Sequence, residues 1–443
     1  MKKIICIIIS VFMLFSCSGG KTSDETVPEM SDSASLSSDT HESKEKIVYT
    51  DYYTGAAPLI TEFSDGLPSL PDDGNSKTET GFSWEICDNG IFYPTYEEIN
   101  ERSHSPNGIL FTGIDGSTER ICPESGCTPD SFCPHMAFFS LTMISYGENG
   151  RFLYMIGTPY LGDGTMYDNT CVMRYDTETR EYVKCADLPF TKNSVISAAI
   201  YSHYLFIASS LGTNCEIYAL ELENGGDSGY HLTIPQVNTQ NRMDFISVVA
   251  GKLLFSEITS NTMYLFSSSG ELCETLSVND LLGAIKCSDS DIYYISGSDL
   301  YRYNVADGGN TFILDGCISF CFADDFIYYE KREEISGFRY LQAVPNTMPT
   351  EYKEVEYPLS CGRSIYRYSF SDNTSAVYRD FPEGSMRYLN GQLFASGDGV
   401  LYGCFADSEE PKPYLTIELI YSDGGGNEIS LSKTAIKQIS FKD

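Results

Sequence analysis

Residues 289–304 read DSDIYYISGSDLYRYN. Residues 291–296 and 300–304 are short runs rich in β-branched and aromatic side chains. Gly297-Ser298 between them is a turn signal, so the stretch reads as a β-hairpin. The same design recurs at residues 89–93, 149–154, 203–206, 251–255, 290–294, 325–329 and 390–394. A second strand follows each copy, for example at 171–176, 216–220, 262–266, 299–304, 364–368 and 400–402. One hairpin cannot bury its apolar face alone, whereas several stacked around an axis share a continuous core and protect their edges. The sequence therefore predicts an all-β chain: a β-propeller of seven four-stranded antiparallel blades, with six or eight blades as the alternatives.

Ile292-Tyr293-Tyr294 and Ile327-Tyr328-Tyr329, with Leu300-Tyr301-Arg302-Tyr303-Asn304 after the first, resemble the propeller repeats of YWTD-like and TolB-like domains. More closely they resemble the tethered propeller lipoproteins of Gram-positive bacteria, most of which have no assigned function. The resemblance spans residues 82–441 and implies architecture. The tryptophan of YWTD repeats is absent, so no receptor-type ligand is implied.

The 443 residues suit one all-β ring, and an aromatic content of 13% with a single tryptophan, Trp84, excludes blades docked through repeated tryptophans. A formal net charge of −33 argues against a nucleic-acid partner and against loose adsorption to anionic membranes. It fits colloidal solubility outside the cell, the alternative being a cationic partner or divalent metal.

Met1-Lys2-Lys3 is a basic start, residues 4–15 are almost wholly apolar, and Leu14-Phe15-Ser16-Cys17 follows. The pattern resembles the lipobox of bacterial lipoproteins. It implies a signal peptide over 1–16 and a lipid thioether on Cys17, which would hold the chain to the outer side of the bacterial cell membrane. The alternative is an ordinary secretory signal with a chance cysteine. Residues 17–46 are poor in large apolar side chains and read as a disordered tether. Residues 47–81 form an entry segment: 47–53 read as a strand, and 57–75 as a linker or a strand lent to a neighbouring blade. The propeller occupies 82–443, with blades at 82–122, 137–187, 194–234, 244–278, 283–314, 317–380 and 385–420. Residues 429–431 and 435–441 are expected to close the ring against blade 1.

Strands A to D run outward from the axis of a propeller blade, so B–C connections and D–A crossovers emerge at one end. The long connections fall there: 94–107, 157–169, 331–362 and the crossover 122–136. Long connections on a rigid scaffold carry binding residues, which makes Tyr96, Tyr160, Tyr167, Tyr340, Tyr352 and Tyr357 candidate contacts for a protein, peptide or glycan. The bland reading is that these segments cover the ring mouth and one another.

Of 15 cysteines, Cys6 lies in the signal and Cys17 takes lipid, which leaves an odd number. Cys87, Cys171, Cys215, Cys287, Cys317, Cys321 and Cys404 stand singly in strands and read as small apolar core residues. Cys122, Cys127, Cys133 and His135 fall within 14 residues and could close a tetrahedral zinc site. The spacing is looser than C-x2-C, and one disulfide plus a free thiol is the competing reading. A Cys-Cys-Cys-His cluster at this crossover also looks like one in the related lipoprotein propellers. No nucleophile elbow, phosphate loop, dinucleotide fingerprint or calcium loop is present. The chain reads as a non-enzymatic binding module. The alternative is a carbohydrate-active envelope hydrolase or lyase using carboxylates at the propeller mouth.

Overall fold

In the computed structural model, residues 64–65, 76–80 and, apart from short stretches in the connections, 85–436 are described. The signal, Cys17, the tether and the strand expected at 47–53 lie outside the described residues.

Seven four-stranded antiparallel blades span residues 85–121, 138–188, 196–235, 244–277, 281–314, 317–380 and 388–436. The hairpin at 289–304 is the middle of blade 5. Its strands B (Asp291–Ser296) and C (Asp299–Asn304) pair Ile292 with Tyr303 and Tyr294 with Tyr301. The A strands of successive blades lie against one another all the way round, blade 7 against blade 1 included. Burial falls outward from them. Strand A of blade 3 (Ile196–Tyr201) is buried throughout, whereas strand D of blade 4 (Leu272–Ser277) is largely exposed. Inner strands packed on both faces need apolar residues in succession, which is why Leu253-Leu254-Phe255 does not alternate.

Among the described residues, hydrophobic clusters fill each of the seven blade interfaces. Tyr201, Tyr294 and Tyr402 are fully buried within this core. A buried tyrosine needs a partner for its hydroxyl. Tyr201 accepts the Gly251 N–H of the next blade at 3.0 Å, Tyr294 accepts from the Asn310 amide at 2.7 Å, and Tyr402 donates to Glu428 at 2.6 Å. A buried carboxylate also ties two blades. Glu85, on strand A of blade 1, accepts the Ser145 N–H of blade 2 at 2.7 Å and the Ser145 hydroxyl.

Two expectations change. Residues 429–431 and 435–436 are not two separate closing strands, and 437–441 lie outside the described residues. Glu428–Ile436 is a single strand, the D strand of blade 7, paired only with Leu415–Ser422. Closure rests on side chains instead: Leu401, Leu419, Tyr421 and Leu431 pack against Ile91. Four consecutive strands complete blade 7, so it has no vacancy for a borrowed one.

The entry segment does lend strands, but to blade 3. Ser64–Asp65 pairs in parallel with the outer strand Gly229–Pro235, and Ser76–Thr80 pairs antiparallel with the inner strand Ile196–Tyr201. Blade 3 is thus a six-stranded sheet. The strand Ser76–Thr80 lies inside the ring, also touching the A strands of blades 2, 4 and 5. We call it the channel strand.

Candidate metal centre

Strand D of blade 1 (Thr118–Ile121) ends immediately before Cys122, and strand A of blade 2 (Phe138–Tyr146) starts just after His135. The crossover between them brings the four residues together at the wedge between the two blades. Cys133 precedes a single 3-10 turn, Pro134–Met136, whose tight geometry turns His135 back toward the same point. Cys122, Cys133 and His135 are buried and Cys127 half-buried. Met136, Phe138, Ile109 and Tyr175 wall the site with apolar surface.

The four ligand atoms lie within 4.8 Å of one another. Cys122 Sγ is 3.3 Å from Cys127 Sγ and 3.3 Å from Cys133 Sγ. His135 Nδ1 is 3.6 Å from Cys122 Sγ and 3.9 Å from Cys133 Sγ. Ligands of a tetrahedral zinc ion stand about 3.8 Å apart sulfur to sulfur and about 3.5 Å sulfur to nitrogen. A disulfide needs about 2.05 Å. The cysteines are free, so the donors stand much nearer to a metal-ligand arrangement than to a bonded pair. The cluster could hold a metal ion, and its soft donor set suits ions such as Zn²⁺.

Electrostatics agree with this donor set. Cys122 is pulled down to about 4: the Cys133 thiol donates to it, burial opposes, and His135, the Glu124 N–H at 3.3 Å and Cys127 add to the pull. Cys133 is pushed up because it donates to Cys122 and is buried. Burial, then the hydrogen bond with Cys122, also raises Cys127. Arg120, only 6% exposed, is lowered by burial and supported by the charge of the three cysteines. It donates through Nε to the Thr128 carbonyl at 3.2 Å and through Nη1 to Thr95 Oγ1 at 3.0 Å.

The remaining candidates lie on or beside the B–C connections of blades 1, 2 and 6. The connection expected at 94–107 is no loop. It is the outer part of a long hairpin formed by strands B (Gly90–Asn100) and C (Ser103–Gly113) of blade 1, with Tyr96 opposite Pro106. The segment 331–362 is likewise a hairpin, Glu333–Ala343 with Tyr352–Cys361. It pairs Tyr340 with Val355, Tyr357 with Phe338 and Tyr352 with Ala343. Tyr160 is half-buried and bridges Met166. Tyr167 is engaged by its own blade: its hydroxyl meets Asp187 at 3.4 Å and Lys184 at 3.3 Å, and Lys184 lies over its ring. The side chains of Tyr96, Tyr340, Tyr352 and Tyr357 lie outside the described residues.

Of the single cysteines, Cys87, Cys171, Cys215, Cys317 and Cys321 are buried as expected, and Cys287 is half-buried. The side chain of Cys404 lies outside the described residues. Burial pushes the Cys287 and Cys321 thiols up to about 12, which leaves them inert core residues.

No protein-family model matches the chain, and no curated protein matches it in sequence. Solved structures match in fold. One is a protein from Lactobacillus plantarum, 11% identical, covering 79% of this chain and 97% of that one with a TM-score of 0.41. Another is an oligogalacturonate lyase from Vibrio parahaemolyticus, at 8% identity, 75% and 88% coverage and a TM-score of 0.36. A third comes from a study of two prolyl endopeptidases, at 10% identity and a TM-score of 0.35, covering 67% of this chain and only 40% of the other. The likeness is one of fold.

Proposed function

We propose that the protein is a lipid-anchored, extracytoplasmic binding module, held by lipid on Cys17 to the outer side of the bacterial cell membrane. The end of the ring that carries the long connections would present the site for an envelope protein, peptide or glycan, and Zn²⁺ is the ion held by Cys122, Cys127, Cys133 and His135. Three thiolates and one imidazole in an apolar wedge form a closed structural set with no open position for a substrate. The metal's part is therefore to fix the crossover.

The observation that carries the binding reading is the placing of additions. Both extra-long hairpins and the crossover emerge at one end, while the protein's own channel strand runs along the axis. A hydrolase or lyase working at the mouth needs a free axial cavity between its carboxylates, so it becomes the second reading.

The test is a thermal-shift screen of the chain from Ser18 onward against muropeptides, oligosaccharides and peptides, each with and without chelator. A ligand confined to the folded state raises the melting temperature. Replacing 333–361 by a short turn is expected to abolish that rise for the class that binds. An undiminished rise would refute binding at this end, and turnover of any oligosaccharide would favour the second reading.

A further inference from the structure

Beyond the described pairings of strand A, which end at Phe92, and of strand D, which end at Ile109, the long hairpin of blade 1 continues as a two-stranded ribbon. Two-stranded ribbons are marginal in water and need an external anchor. The register slips between Thr95 and Tyr96, which marks a bulge at the root of this ribbon. A bulge aims whatever lies beyond it. Thr95 pairs with Gly108 there, and its hydroxyl donates to the Gly108 carbonyl at 3.2 Å while accepting from Arg120. Arg120 in turn grips the Thr128 carbonyl, which lies inside the crossover between Cys127 and Cys133. Gly108 also touches the other side of the site: a Cβ built on it would stand 2.8 Å from Arg120 Nη1 and 3.0 Å from Cys133 Cβ.

We infer that occupancy of the Cys122–Cys127–Cys133–His135 centre controls the order of the blade 1 ribbon, and that Arg120 is the positioning residue that links them. The inference rests on the metal reading of the cluster. A bound ion pins Cys127 and Cys133 and so fixes Thr128 between them. The fixed carbonyl orients the guanidinium, and the guanidinium holds both strands at the bulge. Without the ion the described residues of the crossover have one 3-10 turn as their regular structure, and the far end of the relay loses its fixed point. The charges suit this arrangement: three thiolates on a divalent ion leave one negative charge, and Arg120 balances it. The ribbon belongs to the proposed binding end, so the metal would regulate that surface without touching the ligand.

Hydrogen–deuterium exchange on the full chain, zinc-loaded and after chelation, tests the link. Chelation is expected to speed exchange in peptides covering 122–137 and 93–107 on the order of tenfold, as for loss of a charge-assisted hydrogen bond, and to leave 262–277 unchanged. Thr95→Val cuts the relay on the ribbon side, away from the ligands. It should bind zinc normally, with 122–137 still responding and 93–107 no longer doing so. Arg120→Gln should uncouple 93–107 in the same way while holding zinc more weakly, since the balancing charge is gone. Zinc that fails to bind in one equivalent would overturn the metal reading itself. Zinc that binds and protects only 122–137 in the parent chain would overturn the coupling alone. A Thr95→Val ribbon that still answers to zinc would overturn Arg120 as the link.

Discussion

Three glycines separate backbone strain from steric conflict at the metal crossover. Gly108 has φ +126, a region L side chains rarely adopt, and its added Cβ would meet Cys133 Cβ at 3.0 Å. The conformation costs about 1–3 kcal/mol and the overlap about 1–3 more, since Cβ of Cys133 is fixed by its backbone and cannot swing away. Gly297 has φ +69 with nothing within 4 Å of its Cβ position. Alanine there should cost about 1 kcal/mol, from the backbone alone. Gly126, also without a neighbour and without a positive φ, should be neutral to within about 0.5 kcal/mol. Urea unfolding of the zinc-loaded variants gives the three values, with bound zinc measured in parallel. Gly108→Ala should lose about 2–6 kcal/mol and weaken zinc retention, because relief of the overlap moves Cys133. A Gly108→Ala cost no larger than that of Gly297→Ala, with zinc fully retained, would refute the packing argument.

Other outcomes follow from the same geometry. Cobalt substituted at the site should show a sulfur-to-metal charge-transfer band that falls by about a third in Cys133→Ser, as one of three thiolates is lost; an unchanged band would remove Cys133 from the ligand set. Glu85→Ala removes the carboxylate that accepts from the buried Ser145 N–H and hydroxyl and should cost about 2–4 kcal/mol in urea unfolding, whereas Ala at the exposed Glu119 should cost under about 0.5 kcal/mol. Asp176 is buried, which raises its pKa, yet Arg151 at 3.0 Å and the N–H groups of Thr179 and Glu178 hold it down to about 2. The unfolded chain therefore takes up that proton first. The stabilisation is complete above the ordinary value of 3.8 and is lost as pH falls toward 2. Asp176→Asn should flatten the acid limb of stability against pH by about 1–2 kcal/mol, and an unaltered limb would contradict the assignment.

The ring was legible because its signal repeats. Each hairpin shows apolar β-rich runs around a turn, and seven copies correct one another's ambiguities. The boundaries expected for blades 2 to 6 fall within a few residues of the observed strands for the same reason. Blade 7 was cut short since its D strand, Glu428–Ile436, reads ISLSKTAI after its first residue, with small polar side chains and no aromatic pair. The channel strand carries no apolar pattern at all: Ser76-Lys77-Thr78-Glu79-Thr80 reads as linker, and only its pairing with blade 3 makes it a strand. At the Cys/His cluster, residue type and proximity along the chain named the four residues that could hold an ion. Arg120 went unnoticed because a lone arginine in a strand reads as a solvated face. Its one sequence hint was its place two residues before Cys122, in a chain with 29 basic and 62 acidic residues. For the tyrosines, residue type alone does not tell an open side chain from one, like Tyr167, that closes on its own blade.

The channel strand also sets an order of events during synthesis. Thr80 pairs with Ser197, and Ser76 with Tyr201, so the partner strand appears only after blades 1 and 2 have been made. Residues 76–80 must wait in water with an unpaired backbone while more than a hundred later residues emerge. A β-rich apolar strand in that position would pair with whatever exposed edge it met first. Ser, Thr, Lys and Glu let this one stay solvated, at the expense of any tendency to fold on its own. Threading is then among the last steps of assembly, and the polar composition that hid the strand from pattern reading is what lets it arrive late.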